Sequence, residues 1–219
     1  VKHTLVSDPS LPEGRGAEAT ESFARSGIRS VTVAARILKT LAAHGGVLPL
    51  KHVAAATGMP RAKAHRYLAS LRAAGLVAQD GETGHYRIGP AAISIGLVGL
   101  GRMSAVRQLQ EALPRLRDKV NETVTAAIWS ERGPTVIAME ESDHLVTMNV
   151  RIGTVLPVLT TAIGRIFLAY LPDAATQRLV AAERLAGAQR AALPSVNALA
   201  ANLADIRAKR ISEAKGALL

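Results

Sequence analysis

The stretch Thr57-Gly58-Met59-Pro60-Arg61-Ala62-Lys63-Ala64-His65-Arg66-Tyr67-Leu68-Ala69-Ser70-Leu71-Arg72-Ala73-Ala74-Gly75-Leu76-Val77 carries a turn, a helix start, an apolar stripe and a stop in direct succession. Gly58 supplies the turn, and Pro60 stands near the helix start, where its missing N–H costs least. Ala64, Tyr67, Leu68 and Leu71 recur at helical spacing and predict a buried stripe on a helix from Arg61 to Ala74, which Gly75 stops. Facing away from that stripe are Arg61, Ala62, Lys63, His65, Arg66 and Ser70. A helix fits the major groove of B-DNA, and residues near its N-terminus reach base edges. Arginine and lysine donate to guanine O6 and N7, His65 meets a base or a phosphate, and Ala62 leaves room for a thymine methyl. Tyr67 either holds a phosphate by its hydroxyl or lies half in the core. Each good base contact discriminates by about 1–3 kcal/mol.

Upstream, Ser30 is an expected N-cap, followed by Val31, Ala34, Ala35, Leu38, Leu41 and Ala42 on one helical face, with Gly45 and Gly46 as the end. A short helix from Leu50 to Thr57 turns Val53 and Ala54 inward, and Lys51 and His52 at its start are placed to clamp a DNA backbone. Downstream, Leu76-Val77-Ala78 and His85-Tyr86-Arg87-Ile88 read as strands around the glycine-bearing loop Asp80-Gly81-Glu82-Thr83-Gly84. His85 and Arg87 beside that loop suit phosphate or minor-groove contact. Three helices and a hairpin are the plan of a winged helix-turn-helix over residues 28–90.

Charge points the same way. The chain has 27 basic and 17 acidic residues, a net charge of +10. Nine of the basic residues lie between Ile28 and Pro90, against only Asp80 and Glu82. On charge alone, a solvated basic surface is the competing explanation. Aromatics are 3%, which disfavours base stacking and hence single-stranded or RNA partners, so double-stranded DNA is the expected partner. Cysteine is absent, which excludes disulfides, thiolate catalysis and cysteine zinc sites. No stretch reads as a membrane span or a secretory signal: the longest apolar region, Ala91–Leu100, is short and holds Gly96 and Gly99. The expected compartment is the cytoplasm.

Residues 1–27, with Pro9, Pro12, Gly14 and Gly16, are expected to be a flexible tail. Residues 91–121 read as linker helices divided at Pro114, the second carrying Leu113, Leu116 and Val120. From 122 to 219 the periodicity becomes that of an α+β domain. Strands are expected at Thr123–Trp129, Thr135–Met139 and Leu145–Val150, joined by turns at Glu131-Arg132-Gly133-Pro134 and Glu141-Ser142-Asp143-His144. Helices are expected at Ala162–Leu171, Asp173–Glu183 and Ser195–Arg210. Such a layer is incomplete and leaves a sheet edge uncovered.

Catalytic and cofactor chemistry finds little support. Glu140, Glu141, Asp143 and His144 cluster, but a polar hairpin tip explains them better than a metal site. Gly96, Gly99 and Gly101 do not have dinucleotide-binding spacing. Trp129 reads as core, and Ser130 has no histidine–acid pair placed near it. No metal and no cofactor are expected.

At this point the chain resembles a known family. Ser30-Val31, Leu50-x-x-Val53-Ala54-x-x-Thr57-Gly58-Met59-Pro60, Arg66-x-Leu68-x-x-Leu71-x-x-Ala74-Gly75-Leu76-Val77 and Tyr86-Arg87-Ile88-Gly89-Pro90 resemble the DNA-binding domain of the IclR family of bacterial transcriptional regulators. Arg151-Ile152-Gly153-Thr154-Val155-Leu156-Pro157, Thr160-Thr161-Ala162-Ile163-Gly164-Arg165 and Leu168-Ala169-Tyr170-Leu171-Pro172 resemble its effector domain. Departures include Ala62 and Lys63, where the family usually has Ser or Thr, so an operator sequence is not transferable. The family's further C-terminal strands are also missing, so a fragment is one expectation.

The resemblance implies a homodimer, or a dimer of dimers giving a homotetramer, that reads a palindrome. It also implies a GAF-like α+β domain, here partial, that binds a small organic acid and oligomerises. The residues agree in part. Thr160 and Thr161 precede a helix whose first amides, on Ala162 and Ile163, are candidate anion donors, with Gly153, Leu156 and Pro157 shaping one wall. An ordinary capped helix is the competing explanation. The expected protein is a ligand-responsive regulator without catalysis, in which the effector shifts the population of dimer geometries. The rivals are a sequence-tolerant architectural DNA-binding protein and an enzyme of small acids with an accessory basic domain.

Overall fold

Helix α1 (Arg29–Ala43) buries Val33, Ile37 and Leu41, one side chain per turn, with Ala34 and Leu38 packed beside them. This stripe is rotated from the one expected in the sequence, and Val31 is 64% exposed. Alanine covers several faces of α1, so the large branched side chains decide which face is buried. Ser30 is not the cap. Ile28, in an extended conformation, precedes the helix, and its carbonyl accepts from the Val31 amide at 2.9 Å. The computed structural model describes residues 28–143, 150–187 and 193–214. These form two compact units that divide between Leu97 and Val98.

In the first unit a two-residue strand β1 (Val47–Leu48) follows α1, then α2 (Leu50–Thr57) and α3 (Arg61–Ala73). Gly58, at φ 65°, closes α2 in the left-handed region that glycine adopts without strain. Strands β2 (Val77–Gln79) and β3 (Tyr86–Ile88) form the wing. The sheet order is β1-β3-β2, antiparallel throughout, with Leu48 opposite Tyr86 and Val77 opposite Ile88. The sequence reading omits β1, because two residues carry no detectable alternation. One core joins Ile37, Leu41, Val53, Leu68, Val77 and Tyr86. Gly89 fits where no other residue would: a Cβ there would lie 2.2 Å from the Gly75 carbonyl oxygen.

Helix α4 (Pro90–Gly101) buries none of its residues and spans the division between units. Helix α5 (Ser104–Val120) follows, and here the expected break at Pro114 is overturned. The helices divide at Arg102–Met103, just after Gly99 and Gly101, while Pro114 lies inside α5. Proline removes the bond to the Gln110 carbonyl, but Gln110 is exposed and water can replace it. Val106 and Leu113 are the buried residues of α5, whereas Leu116 and Val120 are about half exposed (48% and 46%).

Strands β4 (Val124–Ser130) and β5 (Gly133–Glu140) pair antiparallel around the turn residues Glu131 and Arg132, with a bulge at Ala126/Ala127. Gly133 and Pro134, expected in the turn, belong to β5. The expected third strand falls largely on residues 144–149, outside the described residues; Val150 is described and buried. Then come α6 (Ala162–Tyr170), α7 (Asp173–Gly187) and α8 (Val196–Lys209), the last capped by Ser195. Trp129 is partly buried against Phe167, ring centroids 5.5 Å apart, in a cluster with Leu159, Leu168 and Leu203.

Candidate nucleic-acid interface

Because Ala64, Leu68 and Leu71 anchor α3 in the core, its other faces point outward. Lys63, Arg66, Tyr67 and Ser70 converge on one shallow cleft of about 300 Å³. Arg61, Ala62 and His65 are exposed on the same helix but do not line that cleft. Tyr67 is half-buried and packs against the core while also lining the cleft. Lys51 and His52 are exposed in the first turn of α2. Among the described residues Arg29, Arg36, Arg61, Lys63 and Arg66 carry no ion pair. Their charge therefore faces solvent without a protein counterion among these residues. Arg72 differs: it donates to Gln79 Oε1 at 2.7 Å and ties α3 to the wing.

In the wing, Arg87 is exposed on the central strand, opposite Val47 and Ala78. His85 is half-buried, and its carbonyl accepts from the Asp80 amide at 2.8 Å. Asp80 is engaged inside the turn, accepting from the Thr83 amide at 2.8 Å and the Thr83 hydroxyl at 2.7 Å. Those bonds, with a weaker contribution from the Arg87 charge, hold its carboxyl below the usual carboxylate range.

The second unit places the expected effector residues around the start of α6. Thr161 is buried; its hydroxyl donates to the Pro157 carbonyl at 2.6 Å and accepts from the Gly164 amide at 2.9 Å. That cap consumes the Gly164 amide. The amides of Ala162 and Ile163, earlier in the first turn, have no intrahelical acceptor. Leu156 is a core residue, packed with Val136 and Val150 and against Ile163, rather than an open wall. Gly153 and Pro157 are exposed, and Gly153 turns the chain at φ 89°. Gly164 seats α6 directly on the preceding loop, since a Cβ there would lie 2.3 Å from the Pro157 carbonyl oxygen.

Glu183 on α7 is expected from the sequence only as a helix end, with no role of its own. Its carboxylate accepts from the Val158 amide at 2.7 Å and the Leu159 amide at 3.2 Å. Arg165 donates to the Leu159 carbonyl at 2.9 Å from the other side of the loop. Nothing in the spacing of Glu183 signals this, because its partners are backbone groups 24 and 25 residues away. Glu140 and Asp143 lie near enough to the Arg117 guanidinium to favour its charged form, and Arg117 also donates to the Glu141 carbonyl at 3.1 Å. No metal-ligand cluster occurs among the described residues.

A family model for the IclR helix-turn-helix domain matches residues 30–81, and one for the C-terminal domain of bacterial IclR transcriptional regulators matches residues 99–215. The chain belongs to the IclR family. It is similar to the transcriptional repressor IclR of Escherichia coli K12, 28% identical over 95% of this chain and 77% of that protein. The crystal structure of Pseudomonas aeruginosa HmgR superposes with TM-score 0.65 at 37% identity, covering 84% of this chain and 75% of that one. An IclR homologue from Microbacterium hydrocarbonoxydans, crystallised with 4-hydroxybenzoate, shares the fold at TM-score 0.62 and 21% identity, covering 82% of this chain and 74% of that one. The IclR chain described here is therefore a DNA-binding transcriptional regulator, and the family is one of regulators rather than enzymes. The expected fold class is borne out by the same matches. No helix among the described residues is long and apolar enough to cross a membrane.

Proposed function

We propose that this protein acts in the cytoplasm as a ligand-responsive regulator that reads a palindromic operator. Residues 28–90 bind DNA, residues 91–121 link, and residues 122–219 sense a small organic acid and oligomerise. The observation that carries the reading is the convergence of Lys63, Arg66, Tyr67 and Ser70 on one face of α3, with Lys63 and Arg66 free of ion pairs among the described residues. Arg61, Ala62, Lys63, His65 and Arg66 read base edges, and Lys51, His52, His85 and Arg87 hold phosphates.

A homodimer, alone or paired into a tetramer, is supported by α4. It carries no charged residue and buries nothing, leaving Ile95, Leu97 and Val98 each more than 60% exposed. A palindrome is the DNA counterpart of two-fold symmetry. The small-acid assignment rests on the first-turn amides of Ala162 and Ile163 and on the aromatic acid bound by the Microbacterium homologue.

The test is capture of fragmented source-genome DNA on the purified protein at near-physiological salt, followed by sequencing. A few enriched sites sharing one palindrome are expected. Uniform enrichment that falls steeply with salt would replace this reading with that of an architectural binder.

A further inference from the structure

A second cleft, of about 410 Å³, opens beside the α3 face. Arg29, Thr32 and Arg36 of α1, Gly58 and Met59 of the turn, and Lys63 of α3 line it. On α1 the polar contributors stand at i, i+3 and i+7, one helical face, beside the apolar Val33, with the two arginines about 10 Å apart along the axis. The Gly58 and Met59 amides and the Thr57 hydroxyl are already bonded within the chain. The Met59 amide donates to the Ala54 carbonyl at 2.9 Å, the Gly58 amide to Ala55 at 3.1 Å, and the Thr57 hydroxyl to Val53 at 2.6 Å. What remains available to a ligand is the N–H groups of three cations and the Thr32 hydroxyl.

We propose that this cleft binds a phosphodiester of the DNA backbone next to the groove that α3 reads. This rests on the assignment of α3 to DNA above. Three positive groups with no ion pair among the described residues are available to an anion. Flexible side chains around an open cleft, without a fixed array of amides, suit a group whose recognition is electrostatic and independent of sequence. Lys63 lines both this cleft and the α3 cleft, so a polyanion seated on α3 passes directly to Arg29 and Arg36. The cleft therefore sets affinity and register, and α3 sets sequence.

The experiment measures binding of a labelled random-sequence duplex by fluorescence anisotropy over a salt series. It compares the full chain with Arg29→Ala/Arg36→Ala and with Arg29→Lys/Arg36→Lys. Each lost phosphate contact lowers the slope of log affinity against log salt by about 0.9. The alanine pair is expected to lower that slope by about one to two and to weaken binding roughly five- to tenfold per contact near 0.1 M salt. The lysine pair is expected to keep most of the slope. Sites selected from random duplexes by the alanine pair should show the wild-type consensus, and its circular dichroism melt should match wild type.

A wild-type chain that binds no duplex overturns both this inference and the regulator reading. A wild-type chain that binds, with an unchanged slope in the alanine pair, overturns this inference alone. A changed consensus in the alanine pair makes these arginines base readers and overturns it too. Calorimetric titration with inorganic phosphate at constant ionic strength covers the free anion. Saturable binding abolished by the alanine pair, with an unchanged salt slope for duplex, assigns the cleft to a small anion instead.

Discussion

Arginine is used in two ways in this chain, and the balance between them differs from one unit to the other. In the first, Arg29, Arg36, Arg61 and Arg66 carry no ion pair among the described residues, while the core of the unit closes without them. In the second, four arginines are turned onto the chain's own carbonyls. Arg117 donates to Glu141, Arg165 to Leu159, Arg184 to Pro194 and Arg207 to Ala169, at 2.6 to 3.1 Å. The same residue type is therefore left open to solvent at four positions of one unit and tied to the fold at four positions of the other. Net charge alone does not separate the two uses; hydrogen-bond partners do.

The strongest test of that contrast is Glu183, the acidic member of the second unit's loop-holding set. Glu183→Ala leaves the amides of Val158 and Leu159 without their acceptor in a loop where both side chains are buried. A cost of about 2–6 kcal/mol is expected, from roughly 1–3 kcal/mol for each of the two unsatisfied groups. The single tryptophan, Trp129, lies in the second unit, so the midpoint of its fluorescence in a denaturant titration reads this loss selectively. An unchanged midpoint would mean that the loop does not depend on the carboxylate.

Exchanging the two kinds of arginine gives the next largest effect. Arg66→Ala should weaken binding to a selected site by about 1–3 kcal/mol and leave the melt unchanged. Arg165→Ala should lower stability by about 1–2 kcal/mol, since its bond to the Leu159 carbonyl is only partly buried, and leave the affinity of the folded protein for a duplex unchanged. If Arg165→Ala reduced duplex affinity at temperatures well below its melt, the division of labour would be wrong.

The smallest effect concerns the wing. Asp80 titrates below the usual carboxylate range because the Thr83 amide and hydroxyl bond its charged form. Its contribution is therefore full at neutral pH and is lost as pH falls below about 4, through its own lowered value. Asp80→Asn should raise amide exchange at Thr83 near neutral pH and flatten its acid dependence, leaving the second unit's melt unaltered. A wing whose exchange is identical in both proteins would show that the turn is held by other bonds.

Much of the first unit is legible in the sequence. Ala64, Leu68 and Leu71 give α3 its buried side, and Gly58, Pro60 and Gly75 punctuate it in chemistry that local spacing reveals. Where large side chains are scarce, the reading weakens. The face of α1 is misplaced because alanines on several sides compete with Val33 and Ile37. The cleft residues Arg29, Thr32 and Arg36 carry a signal at i, i+3 and i+7, but it marks a helix face only once that face is known to be solvent-exposed. The second unit is less legible because its ties join distant positions, as between Glu183 and the Val158 and Leu159 amides or between Arg207 and the Ala169 carbonyl. Pro114 misleads for a related reason: local propensity favours a break, and the helix continues because its lost bond faces water.

The fit of Gly89 against Gly75 gives α3 a mechanical consequence. The Gly89 amide donates to the Leu76 carbonyl at 2.9 Å, the Ala91 amide to the Gly75 carbonyl at 3.0 Å, and the space between admits no Cβ. The residues that end α3 and the first turn of α4 are thus held against each other with no room for a side chain between them. A side chain at position 89 would have to push the start of α4 away from the end of α3.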